Sequence, residues 1–476
     1  MPERLIYKKS SDMPIRPMTS TSAHSSNTLI TVQRITRLAT IRPMHLSLLF
    51  VCFALIGATP SPVETNDLGH LPSISHLMEG FIARHQVPGA ALAITKGDRL
   101  VYAQGFGVAD RDQEIPVSPR SLFRIASVSK PFTATAILQL VEQDRLALDA
   151  PILPLLRDTF QDTLDVPGDP RLRTVTIRHL LQHRAGWDRA RSRFFPLRTN
   201  SLIKICREAG IPPPGTPDTV VRYMLTQPLD FTPGSRFAYA NIGYLVMGRI
   251  IESISGDTYE AYVKQHLLLP LGIDTMQIGH STRETRAPQE VCYYTTFDAT
   301  IEASFGPYRG QRVSLPYNRS IEVQEAAGGW IASVVDLARF VTALYGADGI
   351  APLNPKSLRE MTTARPFTQV KSVHPKSAGY ALGWYVEKDQ QGRTIVYHTG
   401  HLPGTGAFMG RRSDGIGVAV LFNSDTTPQN VLLIPLFLAD LAMAIDALPS
   451  WPQHDLFPVY FPEKESVDIF SGDANR

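Results

Sequence analysis

The sequence predicts an α/β (α+β) fold: one antiparallel sheet drawn from both ends of the chain, flanked by helices, with a mainly helical region inserted between its halves. Three observations carry this. A hairpin pattern lies near residue 97, where Lys96-Gly97-Asp98 separates the apolar runs Ala90–Thr95 and Arg99–Gly105. Short strand-like runs separated by turn signals fill residues 382–422. Helical periodicity dominates the interval between them.

In chain order, residues 1–45 are rich in Ser, Thr, Arg and Met without sustained periodicity and read as a disordered leader. Leu46–Ala58 is 13 uncharged, mostly apolar residues, short of the roughly 20 needed to span a bilayer. With basic residues before it and small residues after it, it reads as a signal-peptide core, so residues 1–58 form a leader and the mature protein is expected to be secreted or periplasmic with no stable membrane span. Pro72–Arg84 reads as an amphipathic helix and precedes the hairpin.

Ser127–Glu142 reads as a buried helix. Phe132, Ala136 and Leu140 share one face, and Pro131 falls in the first turn, where a missing N–H matters least. Thr176–Gln182, Val220–Leu225 and Tyr239–Ser255 read as further helices, with a Pro-rich loop at 211–218. Strands follow at Leu382–Val386, Thr394–His398, Gly406–Arg411 and Ile416–Phe422, then a helix at Val431–Ile445. The catalytic domain thus covers 72–447. Its sheet parts are about 72–120 and 325–447, its helical part is about 121–324, and 448–476 is a tail.

The 476 residues carry 47 Lys+Arg and 44 Asp+Glu, but seven of the basic and two of the acidic residues lie in the first 44. The remainder is near neutral, which leaves no electrostatic footprint for nucleic acid. Of three cysteines, Cys52 lies in the leader, and an export context would allow Cys206 and Cys292 to pair.

The chemistry centres on Ser127 and Lys130. A serine hydroxyl needs a base, and an i, i+3 spacing puts both groups on one helical face. Lysine serves as a base only when burial or nearby positive charge lowers its pKa. Ser201–Lys204 repeats the spacing in a polar, loop-flanked segment and reads as chance. Tyr239-Ala240-Asn241 adds a hydroxyl able to shuttle a proton and an amide able to hold a carbonyl. His398-Thr399-Gly400 ends a strand, where Gly400 admits close approach of substrate to the backbone. The N–H of His401 can pair with that of Ser127 as an oxyanion hole.

The order SVSK, YAN, HTG resembles the serine β-lactamase and penicillin-binding superfamily, in particular its class C-like branch. The likeness extends through QVPGAALAITKGDRLVYAQGFGVAD, TIRHLLQHRAGW, FAYANIGYLVMGRIIE, AAGGWIASVVDLARF and YALGWYV, covering about Pro72 to Ala447. It implies a β-lactamase/transpeptidase-like fold. It also implies Ser127 as nucleophile, Lys130 as general base, Tyr239 as proton shuttle, and Asn241, His398, Gly400 and His401 around the substrate. The activity implied is acyl-enzyme hydrolysis of a small-molecule or peptide substrate (an ester, a D-amino-acid peptide or a β-lactam) without metal or organic cofactor. A penicillin-binding-like module that acylates without efficient turnover is the alternative. His398 stands where class C β-lactamases carry lysine, which favours ester or peptide hydrolysis over β-lactam hydrolysis and puts a fixed cation for a substrate carboxylate in doubt.

His179 and His183 have metal-ligand spacing but lack the glutamate of H-E-x-x-H and read as structural. Arg124 and Arg236 read as ion-pair partners, Trp384 as lying near the cleft, and Gly328-Gly329 as its floor.

Overall fold

A computed structural model describes residues 71–165, 168–192, 194–346, 349–364 and 379–462. The leader, Leu46–Ala58 and Cys52 lie outside the described residues. Helix α1 (Pro72–His85) leads into β1 (Gly89–Lys96), β2 (Arg99–Asp110) and the short β3 (Ile115–Pro116). Five further strands come from the other end: β4 (Gly379–Tyr380), β5 (Tyr385–Lys388), β6 (Thr394–Leu402), β7 (Thr405–Arg412) and β8 (Ile416–Phe422). They form one eight-stranded sheet in the order β3-β2-β1-β8-β7-β6-β5-β4, antiparallel throughout. The two ends of the chain meet at β1 and β8, with Ala90 opposite Phe422 and Lys96 opposite Ile416.

Alternation along β1 explains the layering. Ala90, Leu92 and Ile94 face α1 and the helix Leu433–Asp446, where Phe81, Phe422 and Phe437 pack ring to ring. Ala91 and Ala93 face the main core beneath the helix Val334–Ala343, whose Phe340 ring stacks at 4.0 Å on Phe132 of the helix Lys130–Glu142. The C-terminal segment joins this body. Leu100 donates its N–H to Asp455 and accepts one from Leu456, and Phe457 is buried.

Two local readings change. The strand expected from Leu382 begins instead at Tyr385, because Gly383 turns the chain at φ +87 and Ala381 bonds back to Trp384. Trp384 consequently fills the core rather than the cleft. A three-stranded ribbon of Phe123–Arg124, Trp330–Ala332 and Gln277–Ile278, too short to show periodicity, sits below the site. The two cysteines do not pair: Cys206 is a buried free thiol and Cys292 donates to Asp110 at 3.0 Å. Among the described residues no helix is long and apolar enough to cross a membrane.

Candidate active site

The chain enters the site through the buried strand Phe123–Arg124. The Arg124 guanidinium donates to the carbonyls of Pro316, His280 and Ser281, lies over the Tyr293 ring and sits 3.9 Å from the Glu290 carboxylate. Ala126 takes φ +48, a left-handed conformation rare outside glycine, and starts a 3₁₀ turn (Ala126–Ser129) that runs directly into the helix Lys130–Glu142. That turn presents Ser127 to the cleft and Lys130 to the interior.

Lys130 is fully buried. Its Nζ stands 3.0 Å from Ser127 Oγ, donates to the carbonyl of Ala327 at 2.5 Å, and lies about equally far above the rings of Tyr239 and Tyr244. Burial, with the Arg189 charge adding to it, pushes its pKa well below the ordinary lysine value. Desolvation thus favours the neutral amine, the form whose lone pair can take a proton. Tyr239 Oη donates to the same Ser127 Oγ at 2.9 Å, and burial raises its pKa, so the phenol keeps its proton.

A second segment closes the site from below. Glu325, at φ +27, begins the short helix Glu325–Gly328, whose Ala326 and Ala327 carbonyls accept from Thr133 and Lys130. Arg249 holds Glu325 at 2.6 Å while also binding Asp218 and Glu252. Gly328 packs against Ala126: a Cβ there would sit 3.4 Å from the Ala126 carbonyl carbon, and Gly328 lines the cleft as expected.

The Tyr239–Asn241 segment is not helical, contrary to the sequence reading; the helix starts at Ile242. The reason is His183, itself at φ +54. Its carbonyl accepts the N–H of Ala238 and its Nδ1 accepts that of Ala240 at 3.2 Å, so the chain is held extended. The His183 ring packs on Tyr239 at 4.1 Å, and its pKa is driven well below normal by burial and then by Lys130. His179 instead caps its own helix, its Nδ1 accepting from Thr176 N–H. Asn241 lines the cleft with a buried Oδ1 that has no partner among the described residues.

His398, Gly400 and His401 all lie on β6, which runs past the expected end at His398 to Leu402. Gly400 is required by packing: a Cβ there would stand 2.1 Å from the carbonyl oxygen of Ile125. His398 is buried and offers no charge. Its Nδ1 is 2.8 Å from the Thr399 carbonyl, which can only accept, so Nε2 accepts from Tyr380 Oη at 3.1 Å. Burial, then the nearby Lys130, pushes its pKa down to about 3. His401 lines the cleft, and its imidazole turns to Asp425 at 3.1 Å.

Ser127, Asn241, Gly328 and His401 open on one cavity of about 480 Å³. Its wall also holds Arg189, Arg198 and Arg319, which sequence reasoning did not single out, and Lys204, whose amine pairs with Glu208. No local motif marks the three arginines, since they come from separate stretches of chain. Arg236 pairs with Asp188 at 2.7 Å as expected.

Comparison with known proteins agrees with this architecture. The chain is 28% identical over 358 residues to penicillin-binding protein 4* of Bacillus subtilis (strain 168), covering 74% of this chain and 70% of that protein. Its fold superposes with a TM-score of 0.58 on the octameric penicillin-binding protein homologue from Pyrococcus abyssi, at 26% identity over 77% of this chain and 76% of that one. A D-amino acid amidase from Ochrobactrum anthropi SV3 shares the fold with a TM-score of 0.60, at 22% identity over 79% and 98% of the two chains. The sequence model of the beta-lactamase family matches residues 74–442, and the chain belongs to that family.

Proposed function

We propose that the protein is a secreted serine hydrolase that forms an acyl-enzyme at Ser127. The observation that carries this reading is the convergence on Ser127 Oγ of a buried, uncharged Lys130 amine at 3.0 Å and a protonated Tyr239 hydroxyl at 2.9 Å. Lys130 takes the Ser127 proton as Oγ attacks the substrate carbonyl carbon. The oxyanion forms between the N–H groups of Ser127 and His401. Tyr239 delivers its proton to the leaving group and is reprotonated by Lys130; in deacylation the same pair takes a proton from the attacking water and returns one to Ser127 Oγ as the ester bond breaks. Asn241, with its unpartnered Oδ1, receives a polar hydrogen of the substrate.

The substrates are esters or D-amino-acid peptides and amides ahead of β-lactams, because the uncharged His398 gives no cation at the position where dedicated class C β-lactamases carry lysine. The likeness to penicillin-binding protein 4* supports acylation at this serine. Export rests on the Leu46–Ala58 run, and N-terminal sequencing of secreted protein checks it. The direct test is a parallel assay of p-nitrophenyl esters, D-alanyl dipeptides and nitrocefin, with Ser127→Ala as control. Turnover that persists in Ser127→Ala overturns the reading, and stable labelling without product release assigns the non-turnover alternative.

A further inference from the structure

The wall of the cleft onto which Ser127 opens carries an unusual charge arrangement. Arg189, Arg198 and Arg319 all line the 480 Å³ cavity, and among the described residues none of the three forms an ion pair. Arg189 and Arg198 flank the ring of Phe195, at 5.6 and 4.0 Å from its centroid, and Arg189 also reaches the Tyr239 ring at 5.3 Å. Arg319 is largely buried, unlike the exposed Arg189 and Arg198, and its pKa is lowered by burial and then by the Arg198 charge. The two carboxylates in the wall are already engaged: Asp188 pairs with Arg236, and Asp230 accepts the N–H of Asp188. A half-buried guanidinium beside another and without an acidic partner is unfavourable in the free protein. An incoming anion relieves it, and the planar fork of arginine suits a carboxylate in particular.

We propose that Arg198 and Arg319, flanked by Arg189, form a carboxylate-binding subsite of this cleft, so that the substrates acylating Ser127 carry a carboxylate remote from the scissile carbonyl. This rests on the hydrolase reading above and deepens it: the positive charge absent at His398 is supplied by the arginines that line the cavity. The subsite orients the substrate and takes no part in bond making.

The test uses Ser127→Ala full-length protein, in which binding is read without acylation. Its affinity is measured by calorimetry for glutaryl p-nitroanilide and for the uncharged carboxamide of the same compound. The expected result is at least a tenfold preference for the carboxylate at low salt, shrinking as NaCl rises. Adding Arg319→Gln or Arg198→Gln removes most of that preference, while Arg319→Lys retains part of it, a rescue that a merely structural role would not give. Equal affinities for the two compounds, or a preference that survives Arg198→Gln and Arg319→Gln together, overturns the subsite. Turnover by the parent protein is read separately. Hydrolysis without carboxylate preference sinks the subsite and leaves the hydrolase, whereas preference without any Ser127-dependent turnover leaves the anion site and sinks the hydrolase.

Discussion

Gly400 presses on Ile125 so closely that a β-carbon at Gly400 would stand 2.1 Å from the Ile125 carbonyl oxygen and 3.2 Å from the Ala126 side chain. Strand β6 is thereby packed directly on the residues that aim Ser127. Gly400→Ala must push β6 away from the turn that carries the nucleophile and separate the two N–H groups proposed for the oxyanion. Labelling by a fluorophosphonate is expected to slow by about 100-fold, the scale of an ångström-level misplacement. An unchanged labelling rate in a folded Gly400→Ala protein refutes this geometry.

Lys130 sets the pH range of acylation. Its pKa is well below the ordinary lysine value because it is buried beneath Tyr239 and Tyr244. The base form is therefore populated at pH values where a solvated lysine, at about 10.4, would be charged. The labelling rate should reach its plateau well below that value, and a rate still climbing through the normal lysine range contradicts the assignment. Lys130→Ala should slow labelling by roughly 10²–10⁴, as should Tyr239→Phe to a smaller degree, whereas Ser201→Ala should change little.

His398 does not titrate at the site near neutrality. Were its charge needed for an anionic substrate, activity would fall as pH rises through about 6.5. With its pKa at about 3, the ratio of rates on anionic and neutral substrates should instead stay level across that range.

The same burial couples His398 to stability. Its folded pKa lies below its unfolded value, so the neutral ring's contribution is complete above about 6.5 and is lost as pH falls toward 3. His183 shifts in the same direction. The melting temperature should drop on acidification through this window, and His398→Gln should flatten part of the drop. A melting temperature independent of pH from 7 to about 4 contradicts it.

Arg249 supports the site from behind. It binds Asp218, Glu252 and Glu325 while nearly buried, and Glu325 starts the segment whose Ala327 carbonyl receives Lys130. Arg249→Met leaves three carboxylates without their cation and should destabilise the fold by about 3–5 kcal/mol. Denaturant unfolding checks this, and a loss below about 1 kcal/mol would place these pairs in the weak surface class.

How much of this was legible depended on range. The helix carrying Lys130, the hairpin around Gly97 and the strands Gly406–Arg411 and Ile416–Phe422 each express a period set by near neighbours; the last two were readable to within a residue, while the helix begins three residues after Ser127 and the second hairpin strand runs on past Gly105 to Asp110. The Tyr239 region was misread as helix because its conformation is set by His183, 56 positions earlier in the chain and hydrogen-bonded to it from outside any local pattern. Likewise Leu382–Trp384 had a strand's composition, but Gly383 turned it into the core.

By itself the sequence determined the fold class, the face shared by Ser127 and Lys130, and the set of groups able to do acyl transfer, because residue type and spacing fix what a side chain can donate, accept or reach along its own element. Only the tertiary structure decided the state in which those groups stand. It lowered the pKa of Lys130 by burying it, removed the charge from His398 by enclosing it against Tyr380, turned the His401 ring to Asp425, and brought Arg189, Arg198 and Arg319 to one cavity. Protonation and charge clustering follow from desolvation and from neighbours brought together by folding, and neither is written in local spacing.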